Sequence, residues 1–173
     1  ATWGVVSISE VFAGIHKRAL SEEERYLASA LSLLYALADH LVDELNLDGN
    51  ETFLYIQGKE STEPIIIWAQ QLLKELQQQS AISDCLSEAI DAQLKSKKQT
   101  EHSTIEKVRA LTFEKSSLTM VLYRLLIDAS TINAEKEVVI QLGYTLQLAD
   151  DIIDAYDDTA EQINSTANST DLK

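Results

Sequence analysis

Apolar and polar positions follow a helical period along most of the chain. The longest regular stretch opens at Ser21, in SEEERYLASALSLLYALADHLVDELN, where three glutamates precede an apolar run. Ser21 and Glu24 have the spacing of a capping box, and Glu22, Glu23 and Glu24 sit where the positive end of a helix dipole favours acids. From Tyr26 to Ala38 the residues are apolar or small on every side, which predicts a helix buried among others. LDGNETF breaks it. A second helix is expected after Thr62, with Pro64 in its first turn, through PIIIWAQQLLKELQQQ. A shorter one covers Ser83–Lys98, and KSKKQTEHS reads as a basic, solvated turn. Ser103 and Glu106 make another capping-box pair, opening a helix through TIEKVRALTFEKSSLTMVLYRLLIDAS. Asn133 is expected to cap the last helix, AEKEVVIQLGYTLQLADDIIDAY, and residues 1–19 to add a short one. The expectation is an all-α bundle of five or six antiparallel helices in one domain, 1–173.

Composition supports this. The 173 residues include five glycines and one proline, so helix breakers are scarce. Acids outnumber bases 28 to 14, for a net charge of −14. Bulk electrostatics therefore exclude nucleic acid and anionic membranes as partners. The single cysteine, Cys85, rules out an intramolecular disulfide and fits a reducing, cytoplasmic setting. No apolar run is long enough to span a bilayer, so no stable membrane insertion is expected.

Charge patterning carries the chemistry. Between Glu137 and Leu172 there is no Lys or Arg, yet LADDIIDAYDD holds five aspartates. Gly143, Gln147, Asp150, Asp154 and Asp157 recur at helical spacing on one narrow stripe. Beside it runs an apolar face of Val138, Leu142, Leu146, Ala149, Ile153 and Tyr156, expected to meet the core. Asp151 lies about 100° around the helix. A second acidic pair, Asp39 and Asp43, followed by Glu44, lies in another stretch without Lys or Arg, Tyr26 to Gly58. Gly143 leaves room beside its stripe. Either cluster alone reads as a solvated face; facing each other, the two pairs make a cage of hard oxygen ligands suited to Mg²⁺. An EF-hand is excluded by the lack of a glycine-centred loop, and a di-iron site by the lack of Glu-x-x-His pairs.

A cationic counterpart sits in LTFEKSSLTMVLYRLL. Lys115 shares a face with Leu111, Thr112, Leu118, Thr119 and Leu122, where it either snorkels or, with Ser116, contacts a phosphate. Arg109 and Arg124 read equally well as partners in surface ion pairs. Tyr35, Phe113 and Tyr123 either wall a pocket or belong to the core.

These residues resemble the class I isoprenoid synthases, chiefly the trans-prenyl diphosphate synthases and the squalene/phytoene synthases. LGYTLQLADDIIDAYDD looks like their second aspartate-rich motif, mapping Gln147, Asp150, Asp151 and Asp154 onto it; FEKSSL is similar to their Lys-Thr segment, and DHLVDE to their first motif, with His40 in its second position. The resemblance implies an all-α bundle of the isoprenoid synthase type around a deep apolar cavity. It further implies Mg²⁺, three ions held with bound diphosphate by Asp39, Asp43, Asp150, Asp151 and Asp154, with Glu44 behind them. Lys115 and Gln147 would bind the substrate diphosphate, and Tyr35 would line the cavity and limit product length. The implied activity is a prenyltransferase-type ionisation of an allylic prenyl diphosphate, with isopentenyl diphosphate as a second substrate and a homodimer or heteromeric synthase as the assembly. Three family features are missing: the arginine pair after the first motif, the N-terminal Gly-Gly-Lys segment, and the helices beyond the second motif, which would make the domain incomplete at its C-terminus. They favour the alternative of a non-catalytic helical subunit or binding protein.

Overall fold

The computed structural model describes residues 2–45, 47, 49–96, 104–127, 130 and 132–160; the side chains of 2–4, 43, 49 and 154–160 fall outside that description. Among the described residues there are seven helices and no strand: α1 (Thr2–Ile15), α2 (Glu22–Asp43), α3 (Gly49–Ile56), α4 (Pro64–Gln77), α5 (Ser80–Ser96), α6 (Ile105–Leu125) and α7 (Ile132–Ala160). The chain is all-α. No helix among the described residues is long and apolar enough to cross a membrane.

Local chemistry sets several boundaries. Ser21 Oγ accepts from the Glu24 N–H at 3.1 Å, and the Glu24 carboxylate accepts from the Ser21 N–H at 2.7 Å, so the capping box of α2 is complete. Pro64 opens α4, where its missing N–H has no intrahelical partner to lose. Four boundaries differ from expectation, the first being α5, which begins at Ser80 rather than Ser83. Thr104, not Ser103, caps α6, its Oγ1 accepting from the Lys107 N–H at 3.4 Å; Ser103 lies outside the described residues, as does KKQTEHS as a whole. Asn133 sits inside α7, which begins one residue earlier. The break after α2 also contains α3, whose eight residues are too few to show a period.

Two helices end with the same hydrogen-bond pattern. After α3, the Gly58 N–H reaches the Tyr55 carbonyl at 3.1 Å and the Lys59 N–H reaches that of Leu54 at 3.0 Å, with Gly58 at φ 118°. After α1, Lys17 reaches Gly14 at 2.9 Å and Arg18 reaches Ala13 at 3.1 Å, with Lys17 at φ 56°. This is a Schellman end in both cases, and the left-handed residue is strained when it carries a Cβ.

The core gathers Leu31, Leu34 and Leu41 of α2, Ile66, Leu73 and Leu76 of α4, and Leu86 and Ile90 of α5. α2 is not buried on every side, as its sequence suggested. Tyr26 and Leu33, seven residues apart, are 52% and 46% exposed, and His40 continues that outward line.

α6 is the central wall, packing most extensively on α7 and α5. It runs antiparallel to α7: Arg124 meets Glu135, Ser116 meets Gly143, and Phe113 meets Tyr144 edge-to-face at 5.5 Å. At Gly143 the helices nearly touch. A Cβ there would stand 2.5 Å from the Ser116 carbonyl oxygen and 2.8 Å from Met120 Cβ. The glycine thus permits close approach of two helices, rather than leaving open space as the sequence suggested.

Arg124 is fully buried, not a surface residue. Its Nε donates to Glu135 Oε2 at 2.7 Å, its Nη2 lies 3.0 Å from His16 Nε2, and its guanidinium stands over the Phe12 ring. The arginine holds the Glu135 carboxyl below its usual pKa. Nearby, Arg18 donates to both Glu24 oxygens and, at 2.6 Å, to the Ile127 carbonyl. Together these contacts pin α1 and its following turn to the end of α6.

The predicted apolar face of α7 is turned outward. Val138, Leu142, Leu146 and Ile153 are 71%, 37%, 43% and 78% exposed, while Gly143 and Val139 face α6. Tyr156 lies outside the described side chains.

Two backbone substitutions should act in opposite directions in urea unfolding. Gly143→Ala should destabilise by about 1–3 kcal/mol, because the methyl group meets backbone that must move. Lys17→Gly should stabilise by about 0.5–1 kcal/mol, the relief of left-handed strain exceeding the added unfolded-state entropy.

Candidate functional site

The close approach at Gly143 leaves α6 and α7 facing α1, α2 and α5 across a cavity of about 440 Å³. The antiparallel register gives it two chemically distinct ends. Gln147 and Asp150 extend one way from Gly143 along α7, and Lys115 and Gln93 line the same cavity. Thr119 and Tyr123 extend the other way along α6, where Ser32 and Tyr35 of α2 also line it. Val5, Ile8, Met120 and Leu146 supply apolar wall.

At the acid end, the Gln147 side-chain amide donates to Asp150 Oδ2 at 3.2 Å and to Asp151 Oδ1 at 3.0 Å. One neutral donor thereby draws two adjacent carboxylates toward it and relieves some of their mutual repulsion. Asp39 does not line the cavity, but Gln93, which does, donates to Asp39 Oδ1 at 3.4 Å. Lys115 is half-buried and Ser116 is buried, its hydroxyl donating to the Phe113 carbonyl at 3.3 Å.

The other end holds hydroxyls. Burial drives the Tyr35 phenol far above its usual pKa, reinforced by nearby Tyr123, and burial does the same to Tyr123; both are neutral donors at any physiological pH. The Thr119 hydroxyl lies beside that of Tyr35 and pulls weakly the other way. Neither oxygen has a partner at hydrogen-bonding geometry among the described residues. Two buried, unsatisfied hydroxyls cost stability unless a ligand or water takes them up.

Of the residues singled out from the sequence, Tyr35, Lys115, Gln147 and Asp150 come together around one cavity, and Asp39 and Asp151 each hydrogen-bond to a glutamine lining it. Glu44 stands apart, exposed as the C-cap of α2. The side chains of Asp43 and Asp154 lie outside the described residues. Sequence reasoning missed Val5, Ile8 and Gln93. Gln93 had one signal, a polar side chain between Ala92 and Leu94 in an otherwise buried stretch of α5.

No family model, curated protein or solved structure matches the chain. The site therefore rests on its own chemistry. Carboxylates held by amide donors, with a lysine lining the same cavity, are hard oxygen ligands and a phosphate-binding cation, a donor set that fits Mg²⁺ with a phosphorylated ligand. Among the described residues no three acids, histidines or cysteines gather closely enough to ligate one ion, and Asp43 and Asp154, the second members of the two acidic pairs, fall outside them.

The unsatisfied hydroxyls make a direct test. Tyr35→Phe and Thr119→Val should each leave the ligand-free protein as stable as wild type or more so, by up to about 1 kcal/mol in denaturant unfolding. A loss beyond that range would mean the hydroxyls are already paired.

Proposed function

We propose that the chain is an isoprenoid synthase-like bundle whose cavity holds an allylic prenyl diphosphate, with Mg²⁺, and promotes loss of its diphosphate. One observation carries this reading: Tyr35, Lys115, Gln147 and Asp150, on three different helices, line a single cavity with an acid end and an apolar body. Such a shape suits a ligand with a highly charged head and a hydrocarbon tail.

The division of labour follows from position. Lys115 would grip a diphosphate oxygen, an attraction strengthened by its half-buried setting. Asp150 and Asp39 would offer metal-ligating oxygens, with Asp43, Asp151 and Asp154 completing the set and Gln147 orienting Asp150 and Asp151. Bound Mg²⁺ would supply Lewis-acid charge against which the diphosphate departs. Val5, Ile8, Met120 and Leu146 would enclose the tail and keep water from the allylic carbon. Tyr35, toward the hydroxyl end, would bound the tail's length.

Thermal unfolding with Mg²⁺ and diphosphate, alone and together, tests the site. A ligand at a hundredfold excess over its Kd adds about 2.7 kcal/mol to the native state. The expected result is a rise in Tm that needs both ligands, disappears in Asp150→Ala and is largely lost in Lys115→Met. Diphosphate release from geranyl or farnesyl diphosphate would then establish turnover. A shift without release would make the chain a non-catalytic binding subunit. No shift with either prenyl diphosphate would sink the proposal.

A further inference from the structure

α6 separates the cavity just described from a second concavity. Ser116 lines the first, while its neighbour Ser117, about 100° around the helix, lines a groove of about 300 Å³ between α5, α6 and α7. That volume is at the small end of ligand pockets, about 300–1,000 Å³. Its floor is aliphatic: Val121 and Leu125 from α6, Ile132 and Ile140 from α7.

Its polar groups carry both signs, on opposite walls. α5 presents Asp84 and Glu88, four residues apart and so on one helical face. α7 presents Asn133 in its first turn, where the helix dipole adds positive potential, and Lys136 just beyond it. Glu88 and Lys136 make no ion pair or hydrogen bond among the described residues, although both act on the Cys85 thiol between them. Burial, with Glu88, pushes that thiol up to about 11, so it contributes no charge at neutral pH. Inside the groove, Ser117 is only 7% exposed and its hydroxyl has no hydrogen-bond partner among the described residues. A buried hydroxyl at the junction of an apolar floor and a rim of both charges calls for a ligand that supplies a polar group there.

We infer that this groove binds a small zwitterion with an aliphatic body, the chemistry of a branched aliphatic α-amino acid. The carboxylate lies toward Lys136, Asn133 and the start of α7, within reach of the Ser117 hydroxyl as donor. The ammonium lies toward Glu88 and Asp84, and the hydrocarbon side chain covers Val121, Leu125 and Ile140. A fatty acid, its carboxylate toward Lys136, would leave the α5 acids unanswered, and an aliphatic amine, its ammonium toward the α5 acids, would leave Lys136 unanswered. Only a ligand with both charges satisfies both walls. The inference is independent of the function proposed for the first cavity.

Calorimetric titration of the full chain with L-leucine tests it, with 4-methylpentanoate and 3-methylbutylamine as single-charge controls. Leucine should bind, and each control should bind at least about tenfold more weakly, the cost of one unanswered charge. Lys136→Met should weaken leucine about tenfold and leave the amine unaffected, while Glu88→Gln should weaken leucine similarly and leave the carboxylate unaffected. Both positions are exposed, so the fold survives. Ser117→Ala should weaken leucine about threefold without loss of stability, since the hydroxyl it removes is unpartnered. Failure of leucine to bind a folded chain, or equal binding of either control, would overturn the inference.

Discussion

The backbone of α6 and the bare Cα of Gly143 lie so close that no side chain fits between them, and the first cavity is a consequence of that contact. Two long helices carrying ordinary side chains pack about 8–10 Å apart. At Gly143 they draw closer, which brings the Gly143–Gln147–Asp150 side of α7 to the cavity. Gln147 and Asp150 are thereby directed to the same space as Lys115 and Thr119. The antiparallel run of the pair then separates carboxylates from hydroxyls along the cavity. A charged end and a neutral end emerge from one missing methyl group and the order of two helices.

The remaining wall depends on a different device. α1 contributes Val5 and Ile8, and it is fastened by polar contacts at its far end, where Arg124 gathers Glu135 and His16 and Arg18 spans Glu24 and the Ile127 carbonyl. Burying a guanidinium costs more than its ion pair usually returns. What the arrangement supplies is direction. The fully buried Arg124 admits few placements of α1 that leave its hydrogen bonds intact, whereas apolar contacts alone would tolerate sliding. We regard the arginine as registering α1 rather than as a source of net stability.

Most of this architecture was legible where the signal was local. The capping box at Ser21, the proline at the start of α4 and the long apolar periods depend on residues within a turn or two of each other, and the helices form where those signals lie. The shared face of Gly143, Gln147 and Asp150 was equally readable, because helix geometry alone sets it. Which face a neighbour covers is another matter. Period places the apolar stripe of α7 beside the polar one, but burial is decided by the packing of α6, and α6 takes the glycine side. Arg124 escaped for the same reason. Its partners lie 11 and 108 residues away in sequence, beyond any local pattern. Gln93 and the walls from α1 likewise depend on tertiary placement.

The outward ridge of α7 has a consequence for the molecule as a particle. Val138, Leu142 and Ile153 present hydrocarbon to water along one side of a long helix, on a chain of net charge −14. Attraction between such ridges is short-ranged, whereas repulsion between the charges reaches about 10 Å at 0.1 M salt and only about 3 Å at 1 M. Dilute buffer therefore keeps molecules apart before their ridges can touch, and brine removes that barrier without altering the hydrocarbon. Colloidal behaviour in this protein is set by a balance of ranges, and ionic strength is the variable that tips it.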